Sequence, residues 1–189
     1  NISGYSHLNY SKYFLGDVTA SEALAYSTNI PVVSLDQLLE DESLYYIRKR
    51  ANIASITRSK EYYGSAFASG GCGITLRDLA ELFASLANGG KYAKSHCLKD
   101  AKSASTTPIV TKKSSYHIIQ IRANAPRKHF NSSWDYMCYI PKVALKTGTS
   151  AHARDMLSVG YTPESTVALW YGNFTNQNSK KSTNNNIHI

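Results

Sequence analysis

The chain has 189 residues, of which 42% are hydrophobic and 18% are charged. This length suits one domain with a sizeable core, and the composition excludes an intrinsically disordered protein. The net charge of +8 would suit a polyanionic partner, but the basic residues are scattered and are not interleaved with aromatic side chains. We therefore expect a solvated basic surface and no nucleic-acid site.

The first helices are predicted by their end signals. Thr19-Ala20-Ser21-Glu22 is a capping box that begins a short helix. This helix is expected to stop at Ser27-Thr28-Asn29, since Pro31 suits the first turn of a second helix. The Ser-x-Asn pair then lies in a junction between helices, where side chains can face a cleft. A third helix is predicted from about Glu42 to Asn52.

The middle of the chain contains the clearest helix. A Gly-rich turn from Gly70 to Gly73 precedes Thr75, which begins a helix through Ala87 that Asn88-Gly89-Gly90 closes. From Lys91 to Lys113 the composition turns to Lys, Ser and Thr with one Pro, which predicts a surface excursion. Ser114 or Ser115 is then expected to cap a short helix through Ile121.

The last third changes to the alternation of β-strands. Strands are predicted for Lys142–Thr149, Met156–Tyr161 and Thr166–Tyr171, with a hairpin at Thr162–Ser165. Helices followed by an antiparallel sheet indicate an α+β domain, which we assign to residues 1–174. Residues 175–189 are of low complexity and are expected to be a disordered tail.

Cysteines, histidines and apolar runs exclude several classes of site and segment. Cys72, Cys97 and Cys138 form no C-x-x-C pair or zinc framework, and they allow at most one internal disulfide. The six histidines show no ligand spacing, so neither a metal nor another cofactor is expected. No apolar run approaches the ~18 residues of a membrane helix, and we expect no signal peptide within these residues. Without an initiator Met, the chain is expected to begin within a longer protein.

The run Lys146-Thr147-Gly148-Thr149-Ser150 lies on the first predicted strand. Such a run can aim an ammonium group, a hydroxyl and a bare backbone N–H into one cleft. Glycine has no Cβ, so a substrate can lie close to the backbone there. Taken separately, the motif residues also have plain structural readings: Ser27 and Asn29 as helix caps, Lys146 as an exposed strand lysine and Gly148 as a bulge.

The order of Ser27-x-Asn29, a Gly-rich turn before a Leu-rich helix, and Lys146-Thr147-Gly148 resembles the transpeptidase domain of penicillin-binding proteins. That family's signature is S-x-x-K, Ser-x-Asn and K-T-G. The resemblance covers about Tyr5 to Asn173 and is greatest to the bifunctional class A proteins of the 1C type. It implies a serine β-lactamase-like fold whose N-terminal part is missing. Segments that share the resemblance are Gly16–Leu24, Leu76–Ala80, Leu86–Gly90, Ala144–Ser150, Arg154–Asp155 and Val167–Asn173.

The resemblance implies a division of labour on D-Ala-D-Ala stem peptides of peptidoglycan. A serine forms an acyl-enzyme, Ser27 passes a proton with the help of the Lys146 charge, and Asn29 donates its amide to the substrate. Substrate binding falls to the rest of the motif, namely Thr147, Gly148, Thr149 and Ser150. Of these, Thr149 is expected to bind the carboxylate through its hydroxyl and to supply half of the oxyanion hole through its N–H. β-Lactam binding and a periplasmic or extracytoplasmic location, with an inner-membrane anchor outside this chain, are also implied.

The chain departs from the family pattern because it contains no S-x-x-K. The nearest imitation, Thr57-Arg58-Ser59-Lys60, follows Ser27, whereas the family's S-x-x-K precedes Ser-x-Asn. We therefore expect the nucleophile upstream of Asn1. The chain is then either the C-terminal part of an active enzyme, or a truncated remnant that binds cell wall or a partner without turnover.

Other enzyme classes find less support. Cys72 among glycines at the start of the Thr75 helix is a candidate thiol nucleophile, but a small residue filling a tight turn is the favoured reading, since no particular His is indicated as its base. A Ser-His-Asp hydrolase would need G-x-S-x-G, and Gly4-Tyr5-Ser6-His7-Leu8 lacks the second glycine. A class A β-lactamase shares K-T-G, but no deacylating Glu is identifiable.

Overall fold

A computed structural model describes Asn9 and residues 15–98, 105–126, 142–150 and 154–175. Helices occupy the first two thirds of this part of the chain, and an antiparallel sheet follows, so the predicted α+β class is confirmed. The α-helices are α1 Ala20–Ala25, α2 Asn29–Leu38, α3 Leu44–Arg50, α4 Lys60–Tyr63, α5 Leu76–Ala87 and α6 Lys112–Ala123. The strands are β1 Lys91–Tyr92, β2 Thr107–Pro108, β3 Ala144–Thr149, β4 Asp155–Tyr161 and β5 Thr166–Gly172.

Two of the helix starts follow the predicted end signals. The Thr19 hydroxyl accepts the Glu22 N–H at 3.2 Å, and the Glu22 carboxylate accepts the Thr19 N–H at 2.9 Å, which completes the capping box. The Thr75 hydroxyl accepts the Asp78 N–H at 3.0 Å and begins α5. Each such cap satisfies backbone donors that have no partner within the helix.

The helical part differs from the predictions at three places. The third helix is present, but both of its ends lie two residues inside the predicted Glu42–Asn52, because residues 40–42 form a separate 3-10 turn and Ser43 has an extended backbone. The cap of α6 is Thr111, whose hydroxyl accepts the Ser114 N–H at 3.1 Å. Ser115 cannot serve as that cap, since it lies inside the helix and is buried. The short helix α4 was not predicted at all.

The stretch predicted as a surface excursion contains two paired strands. Lys91 lies opposite Pro108 and Tyr92 lies opposite Thr107 in an antiparallel ribbon. Tyr92 is buried, and its hydroxyl donates to the Glu81 carboxylate on α5 at 2.7 Å. A two-residue strand has too few positions to show alternation, so the composition gave no sign of it.

The helical core forms around an aromatic centre. The rings of Tyr45 and Phe67 lie 5.7 Å apart in an edge-to-face arrangement, and the Arg48 guanidinium lies 5.0 Å from the centre of the Phe67 ring. Such contacts add to the free energy gained by burying the rings. The buried residues of this cluster are Tyr45, Ala51, Ile53, Ile56, Phe67, Tyr92 and Ile109.

The sheet has the order β3-β4-β5 with antiparallel neighbours. All three predicted strands and the hairpin are present, with ends shifted by at most two residues, and the Thr162 N–H donates to the Ser165 carbonyl at 2.8 Å. One face of the sheet packs against α5 and α6. Ala144, Val159 and Tyr161 are buried on that face, with Phe83 and Ile119 from the helices against them.

Some predictions lie outside the described residues: the opening segment apart from Asn9, Cys138, and the tail beyond Thr175. The division at residue 174 stays a prediction. Cys72 and Cys97 carry free thiols. In the described ranges, no helix has the length and apolar character needed to cross a membrane.

Candidate active site

The junction between α1 and α2 presents Ser27 at the surface. Ser27 is exposed and has φ of 55°, a left-handed conformation that residues other than glycine rarely adopt. Thr28 beside it is buried, and its hydroxyl donates to the Ala23 carbonyl at 3.2 Å. Thr28 thus anchors the turn while Ser27 faces outward. An exposed serine held in a costly backbone conformation is typical of functional sites.

Asn29 is the first residue of α2 and does not lie in the loop as predicted. The start of this helix is capped by a residue that is distant in the sequence. The Asn9 side-chain oxygen accepts the N–H of Asn29 at 3.1 Å and the N–H of Ile30 at 3.4 Å. Asn9 is buried. This cap fixes the backbone of Asn29, and sequence reasoning missed it since Asn9 is separated from the helix by about twenty residues.

Lys146 lies on the helix-covered side of β3. It pairs with Val159 and follows Ala144 by two positions, so all three share a face. The lysine is half-buried, and its Nζ donates to the Thr147 carbonyl. Burial lowers the pKa of Lys146 to about 8, and the positive charge of Arg122 contributes to the shift. The plain reading of an exposed strand lysine is therefore wrong.

The backbone of β3 has one edge that β4 does not occupy. The Ser150 N–H donates to the Asp155 carbonyl at 2.9 Å, on the side of β4. Backbone groups alternate between the two edges of a strand, so the N–H and C=O of Thr147 and Thr149 point away from β4. Both threonines are exposed. This edge can accept an extended peptide as an additional strand.

Gly148 lies in this edge strand without a structural requirement for glycine. A Cβ built there meets no atom within 4 Å, and its φ is outside the left-handed region. The register continues through the pair Gly148 and Leu157, so the bulge reading is wrong. The role of Gly148 in letting a ligand approach the backbone stays a prediction.

Ser150 closes the end of the sheet. Its hydroxyl accepts the Asp155 N–H at 2.8 Å and lies 3.1 Å from the Asp155 carboxylate. The other oxygen of that carboxylate accepts the Trp170 indole N–H at 2.9 Å. Ser150 therefore has a structural role in this arrangement, and its contact with substrate stays a prediction.

The predicted residues of β3 are divided between two faces of the sheet. Lys146 faces the helices, whereas the side chains of Thr147 and Thr149 lie on the opposite face. All three side chains are next to the edge of β3 that β4 does not occupy. A ligand placed along this edge would have the Lys146 ammonium group on one face of the sheet and the two threonine hydroxyls on the other.

Arg122 connects the two motif segments. Its Nε donates to the Leu145 carbonyl at 2.7 Å, and its Nη1 donates to the carbonyls of Leu24 at 2.8 Å and Ala25 at 3.2 Å. The Nη2 also donates to Leu145. Sequence reasoning missed this residue, and the one available signal was a charged side chain directly after a segment that contains Ile118, Ile119 and Ile121.

The structure does not support the alternative sites, a Cys72 nucleophile or a metal centre. Cys72 packs against the helical core beside Arg48, and its thiol lies 3.5 Å from the Gly73 carbonyl. A packed thiol of this kind fits the small-residue reading better than that of a nucleophile. In the part of the chain that the structure describes, no three His, Cys, Asp or Glu side chains are grouped to hold a metal ion.

Comparison with known proteins identifies the family. The family model of the penicillin binding protein transpeptidase domain matches residues 2–188. Penicillin-binding protein 1A/1B of Bacillus subtilis is 26% identical over 211 residues, which cover 95% of this chain and 23% of that protein. Penicillin-binding protein 1C of Escherichia coli is 23% identical over 164 residues, covering 87% of this chain and 21% of that protein. The predicted 1C type is thus only weakly supported.

The same fold is found in a solved structure, the D,D-transpeptidase domain of a peptidoglycan glycosyltransferase from Eggerthella lenta. The TM-score is 0.70 at 16% identity, and the match covers 90% of this chain and 52% of that one. The chain spans about a quarter of the length of the curated relatives that it matches. It belongs to the penicillin-binding protein transpeptidase domain family.

Proposed function

We propose that this chain supplies the Ser-x-Asn motif (Ser27 and Asn29) and the K-T-G motif (Lys146 to Gly148) of a D,D-transpeptidase active site that cross-links peptidoglycan. The observation that carries the proposal is Lys146, a half-buried ammonium group beside an exposed strand edge. Among the described residues it forms no ion pair with a carboxylate. A partly desolvated positive charge without a protein counter-ion suits an anionic ligand, such as the terminal carboxylate of a stem peptide.

The substrate pose follows from the free edge of β3. A D-Ala-D-Ala stem peptide adds as a strand along Thr147 to Thr149, with its backbone close to Gly148. The charge of Lys146 attracts the peptide's carboxylate to this edge from the helix-covered side, and the Thr149 hydroxyl on the opposite face donates to that carboxylate. The oxygen of the scissile carbonyl then lies near the Thr149 N–H, which supplies half of an oxyanion hole. The Asn29 amide donates to the substrate backbone.

The reaction is a double displacement at this carbonyl. A serine hydroxyl adds to the carbonyl carbon, the peptide C–N bond breaks, and the terminal D-Ala leaves as an amine. The amine of a neighbouring stem peptide then forms a new C–N bond and releases the serine. Ser27 passes the proton from the nucleophile to the leaving amine, while the charge of Lys146 keeps its hydroxyl polarised.

The attacking serine belongs to an S-x-x-K that these 189 residues do not contain. We propose that it comes from another part of the complete protein, which acts on the extracytoplasmic side of the membrane. β-Lactams then acylate the same serine.

Fluorescent penicillin tests the proposal on the complete gene product. We expect covalent labelling of the complete protein and none of the 189-residue chain alone. Lys146→Met should slow labelling by at least 100-fold, of the order of one lost electrostatic contact in an acyl-transfer site. Lys142→Met is the matched control, because Lys142 is exposed and bonds Asn124 at 2.8 Å.

An alternative is a non-catalytic module that binds the cell wall through its net charge of +8. The complete protein would then stay unlabelled and would sediment with peptidoglycan in a salt-sensitive manner. Labelling of the complete protein excludes this alternative.

A further inference from the structure

Arg122 lies near the end of α6, between two segments that are distant in the sequence. It is 8% exposed, and its guanidinium donates to carbonyls of α1 and of β3. The α1 carbonyls belong to Leu24 and Ala25, three and two residues before Ser27. The β3 carbonyl belongs to Leu145, the residue before Lys146. We propose that Arg122 is a positioning residue that sets the spacing between the Ser-x-Asn junction and the K-T-G strand.

The geometry requires an arginine. A guanidinium presents five donors in a rigid plane, so one group can bond carbonyls on two different elements at once. At α1 it binds carbonyls of the last turn, which carry the negative end of the helix dipole, and the Leu24 carbonyl also accepts the Ser27 N–H at 3.3 Å. A lysine has a single nitrogen on a flexible stem and can hold one of these carbonyls well, but not both sides together.

The contacts at β3 orient the strand that carries the motif. Two nitrogens of Arg122 donate to the Leu145 carbonyl, which lies on the edge away from β4. This edge has no neighbouring strand among the described residues. Arg122 therefore takes the place of a strand partner at the residue before Lys146. At the following edge positions the Thr147 carbonyl accepts the Lys146 ammonium, and the N–H groups of Thr147 and Thr149 stay available to a ligand.

The charge of Arg122 also acts on the groups around it. Burial is the larger cause of the low pKa of Lys146, and the Arg122 charge adds to it. From β4, the Tyr161 hydroxyl also faces Arg122, whose charge opposes the rise in pKa that burial gives this phenol. The α5 side contributes apolar side chains such as Phe83. On α1, Glu22 is bound to Thr19 at the opposite end of the helix.

The catalytic consequence rests on the proposed function, whereas the structural consequence does not. The test therefore uses two readouts on the complete gene product. The first is amide hydrogen exchange in peptides that cover residues 24–29 and 144–149. The second is the rate of acylation by fluorescent penicillin between pH 6 and 10. The variants are Arg122→Met and Arg122→Lys. Arg50→Met is the control, since Arg50 bonds Glu42 and the Ile109 carbonyl.

We expect Arg122→Met to speed exchange in both peptides and to leave the β4–β5 hairpin unchanged. Acylation at pH 7 should fall by roughly 10- to 100-fold, as misplacement by about an ångström does in other sites. The decline of acylation above pH 8 should move to higher pH, because Lys146 keeps its proton longer. Arg122→Lys should keep the wild-type pH profile but recover only part of the rate. Arg50→Met should change neither readout.

Faster exchange in one peptide only, in neither, or uniformly across the chain would overturn the positioning role. An unchanged pH profile in Arg122→Met with a lowered rate would overturn the electrostatic part. If Arg122→Met does not fold, Arg122→Gln replaces it in the same test. If the wild-type protein is not acylated, the proposed function fails, and hydrogen exchange still decides the role of Arg122.

Discussion

Replacing Lys146 by methionine should stabilise the protein while removing a group that the proposed reaction needs. The pKa of this lysine is about 8 in the folded state, against the ordinary 10.5, chiefly because of burial. At about 1.4 kcal/mol for each pH unit, this difference corresponds to roughly 3 kcal/mol against the folded state at pH 7. Methionine fills a similar volume without the charge. We expect the free energy of unfolding at pH 7 to rise by about 1–3 kcal/mol.

The sign of the pH dependence follows from linkage. Because the folded pKa is lower than the unfolded one, the unfolded state binds more protons between pH 8 and 10.5. The cost of the charged lysine is fully present below pH 8 and disappears as the pH rises to about 10.5. The advantage of Lys146→Met should therefore be largest near neutral pH and absent near pH 10.5.

Urea unfolding of the complete protein, followed by circular dichroism at pH 7 and pH 10.5, measures this difference. Lys142→Met should change the free energy of unfolding by no more than about 0.5 kcal/mol at either pH, as is usual for exposed positions. If Lys146→Met destabilises the protein at pH 7, or if its gain is equal at both pH values, the account of a half-buried charge is wrong.

Three further substitutions test other parts of the structure. Gly148→Ala should leave Tm within about 2 °C, because the added methyl meets no atom within 4 Å, yet it should slow acylation by more than about tenfold by obstructing the substrate. Gly90→Ala should lower the free energy of unfolding by more than about 2 kcal/mol, since φ is 85° and the Cβ would lie 2.1 Å from the Val110 carbonyl oxygen. Glu81→Gln should cost about 1–3 kcal/mol at pH 7 and nothing in strong acid. Burial raises the pKa of Glu81, but hydrogen bonds from Ser95 and other donors outweigh burial and hold that pKa below 4.5. The contribution of the Glu81 carboxylate to the free energy of unfolding is therefore lost as the pH falls through the folded pKa.

Each of these substitutions has a control and a contrary outcome. Unimpaired acylation by Gly148→Ala would remove the reason given for this glycine. Gly89→Ala is the control for Gly90, since its Cβ would lie 3.6 Å from Lys112, and equal destabilisation by both would contradict the steric argument. For Glu81, the exposed Glu164→Gln is the control and should change little at any pH, and a loss in Glu81→Gln that persists in acid would refute the linkage.

The elements predicted from the sequence were those whose signals are local. The Thr19 capping box, the Thr75 cap and the β4–β5 hairpin each depend on residues within four positions of one another. Such contacts stabilise a helix end or a turn independently of how the rest of the chain is folded. The K-T-G strand was predicted for the same reason.

The features that were missed depend on contacts between distant segments. Tyr92 packs in the helical core and its hydroxyl donates to Glu81 on α5, and Asn9 caps a helix about twenty residues away. Arg122 bonds residues that lie 23 and 98 positions from it. No window of sequence contains both partners in such pairs, so neither propensity nor spacing reveals them.

The sequence therefore predicted only part of the candidate site. The motif on β3 was predicted, and its free edge and the open space at Gly148 agree with a binding role. The partial burial of Lys146 and its link through Arg122 to the Ser27 junction required the fold. Both depend on how α6 packs against the sheet.

The most direct test of the account is to locate the β-lactam adduct. The complete gene product is treated with penicillin, digested, and its acylated peptide is identified by mass spectrometry. We expect the adduct on a serine of an S-x-x-K sequence outside these 189 residues, with Ser27 unmodified. An adduct on Ser27, or on any other residue of this chain, would contradict the assignment of Ser27 and Lys146 as residues that assist a nucleophile from outside this chain.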